Sequence, residues 1–215
     1  MLDASQFISL AQGRRGHFRM ESGHHGALWL DLDPLFLNYR KVAPFVDRLV
    51  DLLRRYRIDI VVGPLLGGSF LAQLVAKALT VDFAFTEREP MTGDEGMYRA
   101  RYRLPPAFIR SVEGRRVAIV DDVMSAGSAL RGTYLELASY EAAVVCAGAM
   151  LTMGPIGLRY FSDQGVPVAA VAHQEAMIWR PEECPQCRTG EPLEDVIGLA
   201  PVGGNRQTKR WITPS

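Results

Sequence analysis

Lysine is scarce in this chain of 215 residues: only Lys41, Lys77 and Lys209 occur, so 21 of the 24 basic residues are arginine. The chain also lacks an excess of charge of either sign, because its 24 basic residues are balanced by 24 acidic ones. Proteins that bind nucleic acid or membrane surfaces by general electrostatics usually have a basic excess. The composition therefore argues against both kinds of partner. Arginine is expected at positions where related proteins carry lysine.

Cysteine and long apolar runs are scarce as well. Three cysteines, Cys146, Cys184 and Cys187, are too few for a disulfide framework. The longest uncharged apolar run, between Glu141 and Arg159, is interrupted by Gly154-Pro155 and is short for a membrane span, which favours a buried strand. No basic segment followed by an apolar one opens the sequence, as a secretory signal would. We expect a cytoplasmic protein.

Strand-like and helix-like patterns alternate from residue 41 onward. Apolar spacing predicts helices at 42–56, 70–79 and 128–139, and short apolar runs predict strands at 58–62, 81–86, 117–120, 143–151 and 167–171. Pro44 fits the first turn of the first helix. Strands separated by helices imply an α/β fold, a mainly parallel central sheet flanked by helices. We predict this core at 41–175, a separate N-terminal segment at 1–40, and a C-terminal extension at 176–215 that ends in a loose tail.

Three loops are expected at one edge of this sheet. They follow the predicted strands at Gly63–Ser69, near Glu87, and at Asp121-Asp122. In parallel sheets, ligands bind beyond the carboxyl ends of the strands. The three loops therefore predict one shared site.

The stretch after strand 117–120 is typical of a sugar-phosphate site. Small residues let backbone N–H groups approach an anion, and the following helix adds its positive N-terminal end. Asp121 and Asp122 are suited to accept hydrogen bonds from sugar hydroxyls or to hold the water shell of Mg²⁺. A strand-to-helix turn with a simple cap is the alternative, but a cap needs only one polar residue. The predicted phosphate-binding residues are Val123, Met124, Ser125, Ala126, Gly127 and Ser128.

Residues 117–129 resemble the diphosphoribosyl-pyrophosphate (PRPP) motif of type I phosphoribosyltransferases, in which two acids and a Ser/Gly-rich loop follow an apolar strand. Within that family the chain looks most like orotate phosphoribosyltransferase. The resemblance covers roughly residues 10–175. It implies transfer of ribose 5-phosphate from PRPP, bound with Mg²⁺, to a ring nitrogen of a nucleobase, with release of pyrophosphate.

Two further segments carry the resemblance. Residues 16–23 resemble the family's amino-terminal hood, which implies base-binding roles for Phe18, Ser22 and Gly23. Residues 62–68 resemble its pyrophosphate loop, which implies that Leu65, Leu66, Gly67 and Gly68 hold the leaving group. Without the resemblance, this loop is equally compatible with a plain strand-to-helix connection.

The polar segment 87–110 is predicted to be a lid, because a long structureless loop in a compact domain is usually functional or disordered. Arg88, Arg99 and Arg101, together with Arg103, are candidates to close over pyrophosphate and neutralise it. A solvated mobile loop is the alternative. In the resembled family this loop often reaches the neighbouring subunit's site, which implies a homodimer.

The chain departs from the orotate pattern at several positions. The lid lacks the family's lysines and histidine, Leu66 stands where many relatives have lysine, and 151–154 replaces an Asp-Arg pair that holds the orotate ring. Orotate carries a carboxylate, so fewer cations lower its expected affinity. Orotate is the leading acceptor. Another base, or a PRPP-sensing regulator without catalysis, stays open, although the neutral charge argues against nucleic-acid contacts.

Two small motifs complete the sequence evidence. His24 and His25 follow the hood motif. Two interpretations are open: one of them contacts the base or the phosphate, or both lie in an exposed turn. The segment Cys184-Pro185-Gln186-Cys187 is half of a zinc motif, but zinc needs four ligands and no second paired motif is visible. We therefore predict a tight turn and no protein-bound metal site, with zinc as the alternative.

Overall fold

The computed structural model describes residues 2–90, 100–175 and 178–195. The helices are α1 (Ala4–Leu10), α2 (Tyr39–Leu53), α3 (Gly67–Leu79), α4 (Ile109–Val112), α5 (Ser128–Ala138), α6 (Ile156–Asp163) and α7 (Pro185–Arg188). The strands are β1 (Arg14–Arg19), β2 (His25–Trp29), β3 (Ile60–Pro64), β4 (Asp82–Pro90), β5 (Ala100–Arg103), β6 (Arg116–Met124), β7 (Ala143–Met153), β8 (Val168–Gln174) and β9 (Ile178–Trp179). Short 3₁₀ helices span Asp33–Leu37, Pro106–Phe108 and Pro181–Glu183.

The central sheet has six strands in the order β5-β4-β3-β6-β7-β8. All neighbouring pairs are parallel except the edge pair β4–β5. Side chains of the central strands alternate between two apolar clusters, one on each face: Val61 belongs to one, and Ile60 and Val62 belong to the other. A strand buried on both faces needs a continuous apolar run, which is why the sequence signal was strong. The predicted α/β class is confirmed.

A second, smaller sheet is built from both ends of the chain, in the order β1-β2-β9. Strand β9 pairs antiparallel with β2, so that His25 lies opposite Trp179. Farther along, Phe18 forms an isolated bridge with Glu194. This small sheet is the hood expected from the sequence, and the C-terminal segment is part of it. The boundaries predicted at residues 40 and 175 stay predictions.

Several predicted local structures are wrong in detail. Helix α2 begins at Tyr39, capped by the Asn38 side chain, so Pro44 lies inside the helix and not in its first turn. The segment 87–110 is not structureless where the structure describes it: β4 continues to Pro90 and pairs antiparallel with β5, whereas 91–99 lie outside the described residues. Helix α6 was not predicted. Within the described ranges, no helix combines the length and apolar character needed to cross a bilayer.

Candidate active site

A cavity of about 370 Å³ opens at the carboxyl ends of β3 and β6, beneath the hood. The core contributes residues of four strands, β3, β5, β6 and β7, and of the loops that follow β3 and β6. The N-terminal part contributes the turn after β1, part of β2 and the segment that follows β2. The lining consists of Met20–Ser22, Leu28–Leu30, Leu32, Asp33, Pro64–Gly67, Tyr102, Asp121–Val123, Ser125–Ala129 and Met153. Two of the three loops predicted to share a site, the one after β3 and the one after β6, therefore line this cavity.

Asp121 and Asp122 lie in the last part of β6, which continues to Met124 beyond the predicted strand end. Asp122 is buried, with 5% of its surface exposed, and Asp121 is half-buried. Burial raises the pKa of Asp122 to about 6. Burial also raises the pKa of Asp121 well above its usual range, helped by the charges of Asp122 and Glu21. Each carboxylate accepts a backbone N–H, from Asp122 at 3.0 Å and from Val123 at 2.8 Å. These hydrogen bonds hold the two carboxylates in place. The raised pKa values show that a further negative charge beside them is unfavourable.

The first turn of α3 approaches this pair so closely that only glycine fits. A Cβ on Gly67 would lie 2.0 Å from Oδ2 of Asp122, and one on Gly68 would lie 2.7 Å from Oδ1 of Asp121. Within the loop, a Cβ on Gly63 would meet the carbonyl oxygen of Gly68 at 2.0 Å. Leu65, Leu66 and Gly67 line the cavity, whereas Gly68 lies behind them. The absence of side chains thus exposes backbone to the cavity beside the acids.

The loop between β6 and α5 forms the opposite wall. Ser125, Ala126, Gly127 and Ser128 all line the cavity, as does Val123, while the buried Met124 does not. Gly127 has a φ of +76°, which favours glycine, and no side chain caps the start of α5. The backbone N–H of Gly157 donates to the Ser125 carbonyl at 3.1 Å and braces the loop from α6. The result is a helix N-terminus aimed at the cavity, a ready position for an anion.

Only one of the four hood residues predicted to bind substrate lines the cavity. Ser22 lines the cavity, but Phe18, Gly23 and His24 are not among its lining residues. The Phe18 ring is buried in the hood, with its centroid 6.2 Å from that of Trp29. His24 is buried behind Ser22, whose hydroxyl lies 2.9 Å from His24 Nδ1, and burial lowers the pKa of this histidine. The alternative of an exposed turn is wrong for His24 and His25, which are 4% and 6% exposed.

Three polar residues of the cavity were not predicted as site residues: Glu21, Asp33 and Tyr102. Oε1 of Glu21 accepts a hydrogen bond from the Tyr102 hydroxyl at 3.0 Å and lies 2.9 Å from Nε of Arg88. Glu21 lies within the hood segment and Tyr102 within the predicted lid, so both segments carried a signal. The sequence did not single out Glu21 or Tyr102 themselves, because they become important through a contact between elements that are distant in sequence.

The candidate lid arginines have different surroundings. Arg88 pairs with Glu21, and exposed Arg101 lies opposite Glu89 in the hairpin. Arg103 forms an ion pair with the buried Glu136, and this contact stabilises the hairpin itself. Arg99 lies outside the described residues. Among the described residues, the cavity lining contains four carboxylates and neither arginine nor lysine.

The interpretation that Cys184 and Cys187 lack further metal ligands is wrong. The fold brings His17 and His25 next to them, and one ligand atom from each of the four residues lies within 4.8 Å of the others. The two histidines are 159 to 170 positions away from the cysteines in sequence. The only signal available in the sequence was therefore the cysteine pair itself.

An acid pair beside two glycine-containing loops at the carboxyl ends of parallel strands lies where α/β proteins bind their ligands. The family model described as "Phosphoribosyl transferase domain" matches residues 39–167. The chain belongs to the phosphoribosyltransferase family, as the resemblance implied.

Curated relatives and solved structures agree with this assignment. The orotate phosphoribosyltransferase of Thermotoga petrophila is 32% identical over 180 residues, covering 83% of this chain and 88% of the relative. That of Caldanaerobacter subterraneus is 32% identical over 189 residues, covering 87% and 91%. The crystal structure of orotate phosphoribosyltransferase from Aeropyrum pernix has a TM-score of 0.61 at 22% identity, covering 79% of this chain and 92% of that one. Adenine phosphoribosyltransferase from Rhodothermus marinus has a TM-score of 0.60 at 20% identity, covering 80% and 99%. The fold is thus shared by enzymes named for different bases.

Proposed function

We propose that the protein transfers ribose 5-phosphate from PRPP to a ring nitrogen of orotate and releases pyrophosphate. The observation that carries the proposal is the shared cavity, which brings two glycine-containing loops together with the half-buried Asp121 and the buried Asp122. Orotate as the acceptor rests on the names of the relatives that are 32% identical to this chain.

Each wall has a role in this reaction. The loop Ser125–Ser128 and the N-terminus of α5 bind the 5′-phosphate through backbone N–H groups and hydroxyls. Asp121 and Asp122 accept hydrogen bonds from the ribose hydroxyls and stabilise positive charge as it builds at the anomeric carbon. Backbone N–H groups of Leu65–Gly68 hold pyrophosphate as it leaves. Catalysis by this site is positioning and electrostatics rather than nucleophilic attack by a side chain.

The acid pair also fits a Mg²⁺–PRPP complex. Carboxylate oxygens are hard ligands suited to Mg²⁺ or to its water shell. A buried pair whose pKa values are raised gains stability from a nearby cation. When bound with PRPP, Mg²⁺ supplies positive charge against the pyrophosphate oxygens.

The hairpin β4–β5 is proposed to close over the donor and to bring Arg88, Arg99 and Arg101 toward pyrophosphate. Arg88 already pairs with Glu21 at the cavity wall, so closure would exchange one anionic partner for another.

We also propose a homodimer. Leu37, Tyr39 and Phe70 expose 85%, 47% and 44% of their surfaces in one patch around a shallow cavity. A patch of this kind is typical of an interface. The cytoplasmic location stays a prediction.

A neutral base is the second candidate acceptor. Glu21, Asp33, Asp121 and Asp122 line the cavity, and no described lining residue is a cation. Such a lining disfavours the orotate carboxylate more than it disfavours an uncharged pyrimidine or purine. This observation concerns the acceptor only, because the donor site is the same in both cases.

One assay separates these possibilities. The full chain is incubated with PRPP, Mg²⁺ and, one at a time, orotate, uracil, adenine or hypoxanthine, and pyrophosphate release and nucleotide formation are both measured. Turnover with orotate supports the leading proposal, and turnover only with a neutral base supports the second. Asp122→Asn is expected to abolish turnover, whereas Asp163→Asn, an exposed aspartate at the end of α6, is the matched control. Binding of PRPP without turnover on any base would refute an enzymatic function and support a regulator.

A further inference from the structure

The cluster of His17, His25, Cys184 and Cys187 lies outside the active-site cavity, and none of its members lines that cavity. His17 is in β1, His25 is in β2, and the cysteines flank the first turn of α7. We propose that this cluster is a structural zinc site that joins the two ends of the chain. The proposal does not depend on the proposed function.

The distances between the ligand atoms match a single tetrahedral ion. Nε2 of His17 lies 3.4 Å from Sγ of Cys184 and 3.7 Å from Sγ of Cys187. Nδ1 of His25 lies 3.2 Å from Sγ of Cys187 and 3.1 Å from Nε2 of His17. With Zn–N near 2.0 Å and Zn–S near 2.3 Å, tetrahedral geometry places nitrogen and sulfur about 3.5 Å apart and two nitrogens about 3.3 Å apart. The four measured separations are close to these values, and all four ligand atoms lie within 4.8 Å of one another, which suits a single shared ion.

The donor set identifies the metal. Two thiolates with two imidazoles in a tetrahedral arrangement suit Zn²⁺. Cys184 is fully buried, and His17 and His25 are 3% and 6% exposed, while Cys187 forms the outer side of the cluster. Four protein ligands fill a tetrahedral ion, and no position is left open for a substrate. The site is therefore structural and not catalytic.

Surrounding contacts orient the ligands as zinc proteins require. Nδ1 of His17 lies 2.9 Å from the carbonyl oxygen of Glu191, to which it donates, so Nε2 is left as the acceptor that faces the sulfurs. Nε2 of Gln186, between the two cysteines, donates to the Gly16 carbonyl at 3.1 Å and to the Glu191 carboxylate at 2.9 Å. The turn of α7 is thus fixed against β1 by contacts that do not involve the metal.

The site has a consequence for the active site. The turn between β1 and β2 carries Met20, Glu21 and Ser22 into the cavity wall. The metal would hold both strands of that hairpin to the segment 184–195, which also donates the Glu194 N–H to the His17 carbonyl at 2.8 Å. Zinc would therefore fix the position of this turn at the cavity wall.

Metal analysis of the intact chain tests the proposal. The protein is produced with zinc in the medium, passed over a desalting column, and its metal content is measured by plasma mass spectrometry. One zinc per chain is expected for the parent, for Cys146→Ala and for His173→Asn, in which the changed residue lies outside the cluster. Cys187→Ala and His25→Ala are expected to carry none. Cobalt exchanged into the parent should give the visible spectrum of a tetrahedral thiolate site, and that spectrum should disappear in Cys187→Ala.

Unfolding measurements keep the test decisive if a variant folds poorly. A chelator is expected to lower the melting temperature of the parent and of Cys146→Ala, and zinc should restore it. Cys187→Ala, which changes the outer ligand, should respond to neither addition. A parent that holds no zinc above the level of Cys187→Ala would overturn the proposal. A Cys184–Cys187 disulfide in freshly purified protein that excludes zinc would overturn it as well.

Discussion

The hydroxyl of Tyr102 donates a hydrogen bond to Oε1 of Glu21 at 3.0 Å and thereby connects the β4–β5 hairpin to the hood. Tyr102 is 4% exposed, and burial followed by the charge of Glu21 raises the pKa of its phenol, so the donor stays protonated. Nε of Arg88 lies 2.9 Å from the same Glu21 oxygen. One carboxylate thus links the hood to both strands of the β4–β5 hairpin.

Replacing Tyr102 with phenylalanine should destabilise the protein, because Glu21 loses a buried donor while the ring is kept. The expected loss in the free energy of unfolding is about 1.5–3 kcal/mol, the range for hydrogen bonds to charged groups. Urea unfolding of the parent and Tyr102→Phe measures it. Tyr140→Phe, a half-buried tyrosine outside the cavity lining, is the control. Equal midpoints for Tyr102→Phe and the parent would contradict the coupling.

The raised pKa of Asp122 predicts a stability change that depends on pH. Because the folded pKa of about 6 exceeds the ordinary value of 3.8, the folded state binds protons more tightly and loses stability as pH rises through 6. Asp122→Asn removes that loss. The variant should melt higher than the parent at pH 8, by about 2–4 °C for each kcal/mol recovered, and the difference should shrink toward pH 4.

Asp59 provides a control of opposite sign. Its contacts with Arg116 lower its pKa to about 2, so Asp59→Asn should lower the melting temperature at neutral pH. That effect should fade only as pH falls below 4. Melting curves for both variants between pH 3.5 and 8, without added PRPP or metal, test the pair. A difference for Asp122→Asn that grows as pH falls would reverse the assigned electrostatics.

Gly67→Ala should damage the donor site. The new Cβ would lie 2.0 Å from Oδ2 of Asp122, so either the loop or the carboxylate must move. We expect kcat/KM for PRPP to fall by at least about tenfold, which corresponds to about 1.4 kcal/mol. Gly114→Ala is the control, because its φ of +65° makes alanine unfavourable there while no atom lies within 4 Å of the Cβ. It should lower stability and leave kcat/KM unchanged, and a similar fall in both variants would argue against a specific contact.

A charge in the exposed patch should disrupt the proposed homodimer. Leu37 is 85% exposed next to Tyr39 and Phe70, and Leu37→Asp would place a carboxylate in an apolar interface. Sedimentation analysis should find a dimer for the parent and a monomer for Leu37→Asp. Leu135→Asp, at a leucine 62% exposed on α5, should stay dimeric. A parent that sediments as a monomer, or dissociation by Leu135→Asp alone, would reject this surface.

The sequence by itself determined the elements that local pattern controls. Strand β3 and the part of β6 at 117–120 were predictable because a strand segment buried on both faces must be apolar. The acid pair and the glycine-containing loops could be identified because their residues are adjacent in the chain and follow apolar strands, where parallel sheets place ligand sites. These features are encoded by residues adjacent in the chain.

Only the tertiary structure decided where packing overrides a local preference and which distant residues come into contact. Helix α2 accommodates Pro44 in its interior because packing of its apolar face outweighs the cost of one missing hydrogen bond. The contact between Glu21 and Tyr102 and the arrangement of His17 and His25 around Cys184 and Cys187 join residues 81 to 170 positions apart. Local periodicity carries no information about such contacts, because they form only when the N-terminal hairpin packs against the central sheet and against the segment 178–195.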